Sequence, residues 1–213
     1  MSDKPLIAVL DYGIGNLRSA QKALQRCGAD ARLTVDHGLI ADASAVVLPG
    51  VGAFGACMAA LREADLEDAV EEAVDSGRPF LGICVGMQML FDGSEEDESA
   101  LGLGIIPGTI QWLGSELPRP QMQWNLLTLT QPDDPMFADL SAADAWVYFV
   151  HSLHGVPDDA GVIAATCAYG GSVNAAFRQD NVFATQFHPE KSGTWGLSML
   201  GNFVRIAAEA MVG

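Results

Sequence analysis

One cysteine stands where the sequence predicts its clearest turn from strand to helix. The apolar run 79–83 leads into Cys84, glycines occupy positions 82 and 86, and a helical pattern begins immediately afterwards. Small flanking residues allow the sharp elbow that holds one side chain out at the edge of a sheet. The N-terminus of a helix also favours the thiolate, which is the nucleophilic form of cysteine. The alternative for Cys84 is a small buried hydrophobic residue, as most free cysteines are.

A base and a carboxylate near the end of the chain supply the other groups that a nucleophilic thiol needs. The strand-like segment 181–187 leads into His188, and Glu190 follows after one proline. The thiol needs a base to take its proton, and the base needs a partner that fixes its tautomer and stabilises its charged form. Cys84, His188 and Glu190 therefore form a candidate catalytic triad.

A glycine-rich segment, 49–55, follows the apolar run 45–48. Its three glycines permit unusual backbone dihedrals and exposed N–H groups, although an ordinary glycine-rich turn would have the same composition. Sites in parallel sheets lie beyond the carboxyl ends of the strands. We therefore expect this segment and Cys84 to converge.

The elements that must position these groups alternate over the first 90 residues. We expect strands at 6–10, 31–35, 45–48 and 79–83, with helices at 17–27 and, broken near 64–65, at 56–76. This alternation predicts a parallel sheet covered on both faces. The later part of the chain predicts an acidic surface loop at 94–98 and a final helix at 194–210. Between them we expect shorter antiparallel strands at 104–113, 124–130, 146–150 and 162–167. The expected fold is α/β, a mostly parallel central sheet with added antiparallel strands, in one domain over 1–213.

Composition excludes several classes of function. The 213 residues include 11 Lys and Arg against 27 Asp and Glu, a formal charge of −16, which disfavours binding to nucleic acid. No apolar run approaches the roughly 18 residues that a membrane span needs. The N-terminus lacks the features of a secretory signal, so we expect a cytoplasmic protein with free thiols. His151 and His154 have no further ligands nearby in the sequence, and Gly13-x-Gly15 lacks the third glycine of a nucleotide fingerprint; we expect no metal and no cofactor.

Three segments together carry a family resemblance. The sequences around 49–52, 82–88 and 188–190 resemble the class I, triad-type glutamine amidotransferases, and the similarity runs over essentially the whole chain. Within that class, the segments 11–16, 148–152 and 186–193 resemble the glutaminase subunit of imidazole glycerol phosphate synthase. Lys191, with the Ser-Gly that follows it, makes the resemblance to this subunit stronger than that to the anthranilate, aminodeoxychorismate and pyridoxal-phosphate glutaminases.

The resemblance implies a role for each matching residue. Cys84 attacks the side-chain amide of L-glutamine, His188 transfers the proton, and Glu190 orients the imidazole. Backbone N–H groups of Val85 and of the Gly50-Val51-Gly52 turn are expected to form the oxyanion hole. Four residues are expected to contact glutamine: Gln88, Glu96 at the substrate amino group, and Ser152 and Leu153 at the α-carboxylate end.

The resemblance also implies a partner. The expected partner is a cyclase subunit with a (β/α)8-barrel fold, which forms a heterodimer with this chain. It takes up the ammonia and makes imidazole glycerol phosphate and AICAR in histidine biosynthesis. The family's glutaminase is nearly silent until the barrel is docked and occupied.

The sequence departs from the family pattern at three positions. Gln121 and Gln123 replace a histidine and a glycine, and Leu153 replaces a tyrosine. These positions lie near the glutaminase–cyclase junction in the family, so their effect falls on coupling to the partner. Two alternatives stay open: an independent hydrolase on the same fold, and a catalytically silent scaffold that has kept only its docking face.

Overall fold

The computed structural model describes residues 4–211, which form two sheets and six α-helices. The strands are β1 (Leu6–Leu10), β2 (Asp30–Thr34), β3 (Ala45–Gly50), β4 (Phe80–Cys84), β5 (Gly93–Ser94), β6 (Asp97–Leu101), β7 (Gly108–Trp112), β8 (Gln121–Leu129), β9 (Trp146–His151), β10 (Leu153–Pro157), β11 (Ile163–Ala168), β12 (Ser172–Gln179) and β13 (Val182–Thr185). The helices are α1 (Leu17–Arg26), α2 (His37–Asp42), α3 (Phe54–Glu63), α4 (Glu67–Asp75), α5 (Val85–Gln88) and α6 (Gly193–Glu209).

The parallel half of the main sheet confirms the predicted alternation of strands and helices. Strands β2, β1, β3, β4 and β13 lie side by side in that order, each parallel to its neighbour. Such strands are buried on both faces, which is why β1, β3 and β4 are almost continuously apolar. Gly50 pairs with Cys84 in the register of β3 and β4. Strand β3 thus carries the glycine-rich segment directly alongside the cysteine.

The antiparallel half extends the same sheet. From β13 onward the order is β12, β11, β8 and β9, and each pair is antiparallel. A separate four-stranded sheet has the order β10, β7, β5, β6. The expected acidic loop at 94–98 was wrong, because these residues close a hairpin between β5 and β6. Strands β10 and β12 were not predicted, since their sequences mix polar and apolar residues and lack a long apolar run.

Aromatic pairs join the end of the chain to the antiparallel half. Phe149 of β9 packs edge-on against Phe187 with ring centroids 5.9 Å apart, and Phe137 packs edge-on against Phe183 at 5.5 Å. These buried contacts fix the position of the segment that leads into His188. None of the helices in residues 4–211 has the length and apolar character to cross a membrane.

Candidate active site

The backbone at Cys84 is held in a conformation that L-residues rarely adopt. Cys84 ends β4 with φ 57° and ψ −114°, and the single turn of α5 begins at the next residue. Gly86 lies against β3, so that a Cβ at this position would overlap the Leu48 carbonyl oxygen and lie 2.8 Å from its carbon. Only glycine permits this approach. The structure therefore forms the elbow expected from the sequence, although α5 is only four residues long.

His188 and Glu190 form a buried pair beyond the carboxyl end of β13. His188 Nδ1 lies 2.9 Å from Glu190 Oε1, and both side chains are 2 % exposed. Ser192 Oγ donates to the His188 carbonyl at 2.6 Å, which holds the turn that carries both residues. Asn16, the residue before α1, does not cap that helix with its side chain; its Nδ2 lies 3.5 Å from Glu190 Oε1.

Two atoms of this pair are buried without a well-formed hydrogen bond to any group in residues 4–211: His188 Nε2 and Glu190 Oε2. Buried polar atoms without partners are rare in folded proteins and call for an explanation such as a catalytic role. Burial disfavours the His188 imidazolium, but interactions with Cys84 and Glu190 outweigh it and raise the pKa of His188 to about 9. The imidazole is therefore protonated at neutral pH, beside a sulfur and a carboxylate.

A cavity of about 240 Å³ opens onto Cys84 and His188. Nine of the residues predicted from the sequence line it: Val51, Gly52, Cys84, Val85, Gln88, Glu96, Ser152, Leu153 and His188. Pro120, Val150 and His151 complete the lining. Of the other predicted residues, Glu190 lies behind His188, and Gly50 packs beneath the cavity against α5. A larger hollow of about 540 Å³ at the opposite end of the sheet contains no cysteine, serine or histidine.

The glycine-rich segment beside Cys84 is held by two side chains that the sequence analysis did not single out. The Tyr12 hydroxyl donates to the Pro49 carbonyl at 2.6 Å, and the Cys57 thiol donates to the Val51 carbonyl at 3.2 Å. Burial raises the pKa of Cys57 to about 11, so its thiol keeps the proton that this hydrogen bond needs. The backbone of this segment is therefore anchored on both sides of Gly50.

Glu96 has a structural contact in addition to its place on the cavity wall. Its Oε2 accepts the Phe54 backbone N–H at 2.7 Å, at the first residue of α3. A carboxylate at a helix N-terminus is favoured by the helix dipole and satisfies one of the free N–H groups there. Glu96 thus links the small sheet to the helix that follows the glycine-rich segment.

Gln186 is a site residue for which the sequence predicted no role, although it is the first residue of the segment 186–193. It is fully buried, its Nε2 lies 3.8 Å from Cys84 Sγ, and its Oε1 accepts from Gln88 Nε2 at 3.0 Å. Its position two residues before His188 was the available signal, because alternate residues of an extended segment share a face. All four cysteines are free thiols, and no group of three or more acidic, histidine or cysteine side chains within 4–211 could hold a metal ion.

Comparison with known proteins places this arrangement in a family. Residues 8–207 match the family model described as glutamine amidotransferase class-I. The chain is 48 % identical to the imidazole glycerol phosphate synthase subunit HisH of Synechococcus elongatus, over 100 % of this chain and 98 % of that one. It is 50 % identical to the subunit of the same name from Acaryochloris marina, over 94 % of each.

A solved structure with little sequence identity has the same fold. PurLQS from Thermotoga maritima superposes with a TM-score of 0.72 at 20 % identity, over 99 % of this chain and 100 % of that one. Identity of this size supports the fold alone, whereas the family follows from the closer relatives. This chain belongs to the class-I glutamine amidotransferase family and, within it, to the HisH subunits of imidazole glycerol phosphate synthase.

Proposed function

We propose that this chain is the glutaminase subunit of an imidazole glycerol phosphate synthase, and that it hydrolyses L-glutamine through Cys84, His188 and Glu190. The observation that carries the proposal is the buried His188 Nε2, which has no well-formed partner within 4–211 although it shares a cavity with Cys84. Its other ring nitrogen is held by Glu190. This is the arrangement of an acid–base group that holds the thiol proton and passes it to the substrate's leaving nitrogen.

The reaction begins when the Cys84 sulfur, whose proton has passed to His188, attacks the side-chain amide carbon of glutamine. The resulting oxyanion accepts hydrogen bonds from N–H groups of Val85 and the 50–52 turn, each worth roughly 3 kcal/mol in comparable sites. The His188 imidazolium gives its proton to the departing nitrogen, and the C–N bond breaks to release ammonia. The glutamyl carbon remains bonded to Cys84 as a thioester. Water, deprotonated by His188, then cleaves the thioester and releases glutamate.

The cavity also suits recognition of the amino-acid end of glutamine. We assign the substrate's amino group to Glu96 and its α-carboxylate end to the backbone at Ser152 and Leu153, with Gln88 as a further contact; all four line the same cavity. A carboxylate for the ammonium and backbone N–H groups for the carboxylate match the charges of a free amino acid. No cofactor takes part in this scheme.

An exposed apolar face supports a protein partner. The outer sides of β8 and the edge strand β9 carry four large exposed side chains: Met122, Trp124, Leu126 and Trp146, which are 62 %, 49 %, 36 % and 50 % exposed. Trp124 pairs with Tyr148 and Leu126 with Trp146 across the two strands, so these side chains form one continuous surface. Large exposed patches of this kind mark interaction sites.

We assign this surface, called here the aromatic face, to the cyclase subunit, with a (β/α)8-barrel fold. Both of its strands lead into the site, because β9 ends at His151 and β8 begins next to Pro120 on the cavity wall. A partner docked there would cover the route by which ammonia leaves. We place the complex in the cytoplasm, where its four thiols stay reduced.

The test is release of glutamate from glutamine by the chain alone, with its cyclase partner, and with partner plus the nucleotide substrate. We expect strong release only in the last case, and its loss in Cys84→Ala. Cys27→Ala is the matched control, because Cys27 is also a free thiol but donates to the Leu197 carbonyl, at 3.3 Å, on α6. Equal release in all three conditions would instead indicate an independent hydrolase, and no release in any would indicate a silent scaffold.

A further inference from the structure

Gln121 is a buried polar residue that the proposed reaction does not use. It is fully buried at the start of β8, whereas the next residue, Met122, points out onto the aromatic face. The structure places Gln121 Oε1 2.9 Å from His151 Nε2 and Gln121 Nε2 3.8 Å from Cys167 Sγ. The oxygen and nitrogen of a side-chain amide are assigned from the hydrogen bonds around them. His151 Nδ1 in turn lies 2.7 Å from the Leu153 carbonyl oxygen. Gln121 thus contacts the cavity-lining residue His151 directly and is two hydrogen bonds away from the Leu153 carbonyl.

The chemistry of the four groups fixes the direction of each hydrogen bond. Burial lowers the pKa of His151 to about 4, so its ring is neutral and carries a single proton. The Leu153 carbonyl can only accept, so this proton is on Nδ1 and Nε2 is a bare acceptor. Two acceptors cannot bond each other, so we infer that the Gln121 amide is rotated by 180° from its placed orientation, with its NH₂ facing His151 Nε2. The amide oxygen then accepts from Cys167, whose thiol stays protonated because burial raises its pKa to about 11.

The same carbonyl is connected to the nucleophile from its other side. Gln88 Nε2 lies 3.5 Å from the Leu153 oxygen and donates to Gln186 Oε1 at 3.0 Å. Gln186 Nε2 then lies 3.8 Å from Cys84 Sγ. A continuous set of buried polar groups thus runs from β8 to the nucleophile, and the Leu153 carbonyl is its midpoint. Such networks hold one arrangement when every member has a partner.

We propose that Gln121 is a positioning residue for glutamine binding: its amide N–H holds the His151 ring, and the ring holds the Leu153 carbonyl on the cavity wall. This inference rests on the proposed function, since it places glutamine in that cavity. Gln121 acts through His151 and does not itself line the cavity.

The test compares Gln121→Leu with wild type in the complex with the cyclase partner and its nucleotide substrate. Leucine has a similar size but no donor, so His151 Nε2 loses its partner and the wall loses its fixed geometry. A wall contact acts on bound glutamine and on the transition state alike, which raises KM and leaves kcat unchanged. Loss of one such hydrogen bond predicts a rise in KM of about tenfold. Gln121→His restores a ring N–H and should return KM close to the wild-type value.

Gln179→Leu is the matched control. Gln179 is partly buried on β12 and donates to the Ile105 carbonyl at 2.7 Å, at the end of the sheet opposite Cys84. We expect no change in its KM. If Gln121→Leu lowers kcat at unchanged KM, or changes neither, the positioning role is overturned while the glutaminase function stands.

A second readout keeps the inference testable if the wild-type complex releases no glutamate and the proposed function fails. Nitrogen-15 NMR of the histidines in the full chain reports the state of His151 directly. We expect an unprotonated, hydrogen-bonded Nε2 whose signal moves in Gln121→Leu and stays in place in Gln179→Leu. A signal that does not move in Gln121→Leu, or a protonated Nε2 in wild type, overturns the inference.

Discussion

The backbone strain at Cys84 predicts an unusual response to glycine. Cys84 has φ 57° and ψ −114°, in a region that a residue with a Cβ occupies only at a cost. Strain of this kind amounts to roughly 1–3 kcal/mol and persists where the surrounding structure imposes it. Here the imposed contact is the approach of α5 to β3 at Gly86. Glycine at position 84 should release the strain, whereas alanine should keep it.

The magnitude follows from comparing the same change at two positions. An alanine-to-glycine change in a buried strand loses a methyl group, worth about 0.8 kcal/mol, and loosens the unfolded chain by about 0.4–1 kcal/mol. Ala184 is a suitable reference, because it is fully buried in β13 and pairs with Gly82 of β4, two residues before the nucleophile. These two costs are common to both positions, whereas only position 84 releases backbone strain. The change from alanine to glycine should therefore destabilise the protein by about 2 kcal/mol less at position 84 than at position 184.

The assay is thermal unfolding of three variants: Cys84→Ala, Cys84→Gly, and Cys84→Ala combined with Ala184→Gly. All three lack the thiol, so differences in its chemistry cancel. For a chain of this size, 2 kcal/mol corresponds to a difference in Tm of roughly 4–8 °C. Equal costs at the two positions would refute the reasoning, because the elbow would then hold no strain for glycine to release.

Three further predictions follow from the site. In Glu190→Gln the imidazolium of His188 loses its charged partner, so kcat should fall by roughly 10²- to 10⁴-fold in steady-state assays. Circular dichroism checks that the variant is folded under the assay conditions. Because the pKa of His188 is about 9, activity that needs the imidazolium should persist at neutral pH and fall as the pH rises through about 9. In Glu190→Gln this fall at basic pH should occur at lower pH. A fall at unchanged pH would show that another group causes it. Gly86→Ala should displace α5 from β3 and abolish glutamine turnover. The control is Gly201→Ala, at a helical glycine with open space around a Cβ; it should raise stability by up to about 1 kcal/mol and keep turnover. An active Gly86→Ala enzyme would show that the close approach is dispensable.

The sequence was sufficient for the features that depend on local pattern. The apolar runs of β1, β3 and β4 and the glycines beside Cys84 predicted the parallel half and the elbow, because fully buried parallel strands have few other compositions. The prediction that strand 45–48 ended before the glycine-rich segment was two residues short, since Pro49 and Gly50 continue β3. Proline and glycine usually end a strand, and here pairing with β4 outweighs that tendency.

What the sequence could not give were contacts made by residues distant along the chain. Gln186 touches the nucleophile across 102 positions, and Gln121 reaches the cavity only through His151. No spacing rule connects such residues, because the antiparallel half of the sheet decides which strands become neighbours. Glu96 shows the same limit in another form: it belongs to an acidic run that is typical of a solvated surface, yet its carboxylate holds the start of α3.

The strained cysteine and the unpartnered atoms of His188 and Glu190 have a common physical meaning. Each lowers the stability of the free protein, and each is found within the same buried site. A chain optimised only for stability would place glycine at 84 and would give His188 Nε2 a partner. The first change would remove the group that attacks glutamine, and the second would occupy the ring nitrogen that passes a proton to the leaving ammonia. The substitutions that most stabilise this region should therefore be those that abolish its activity.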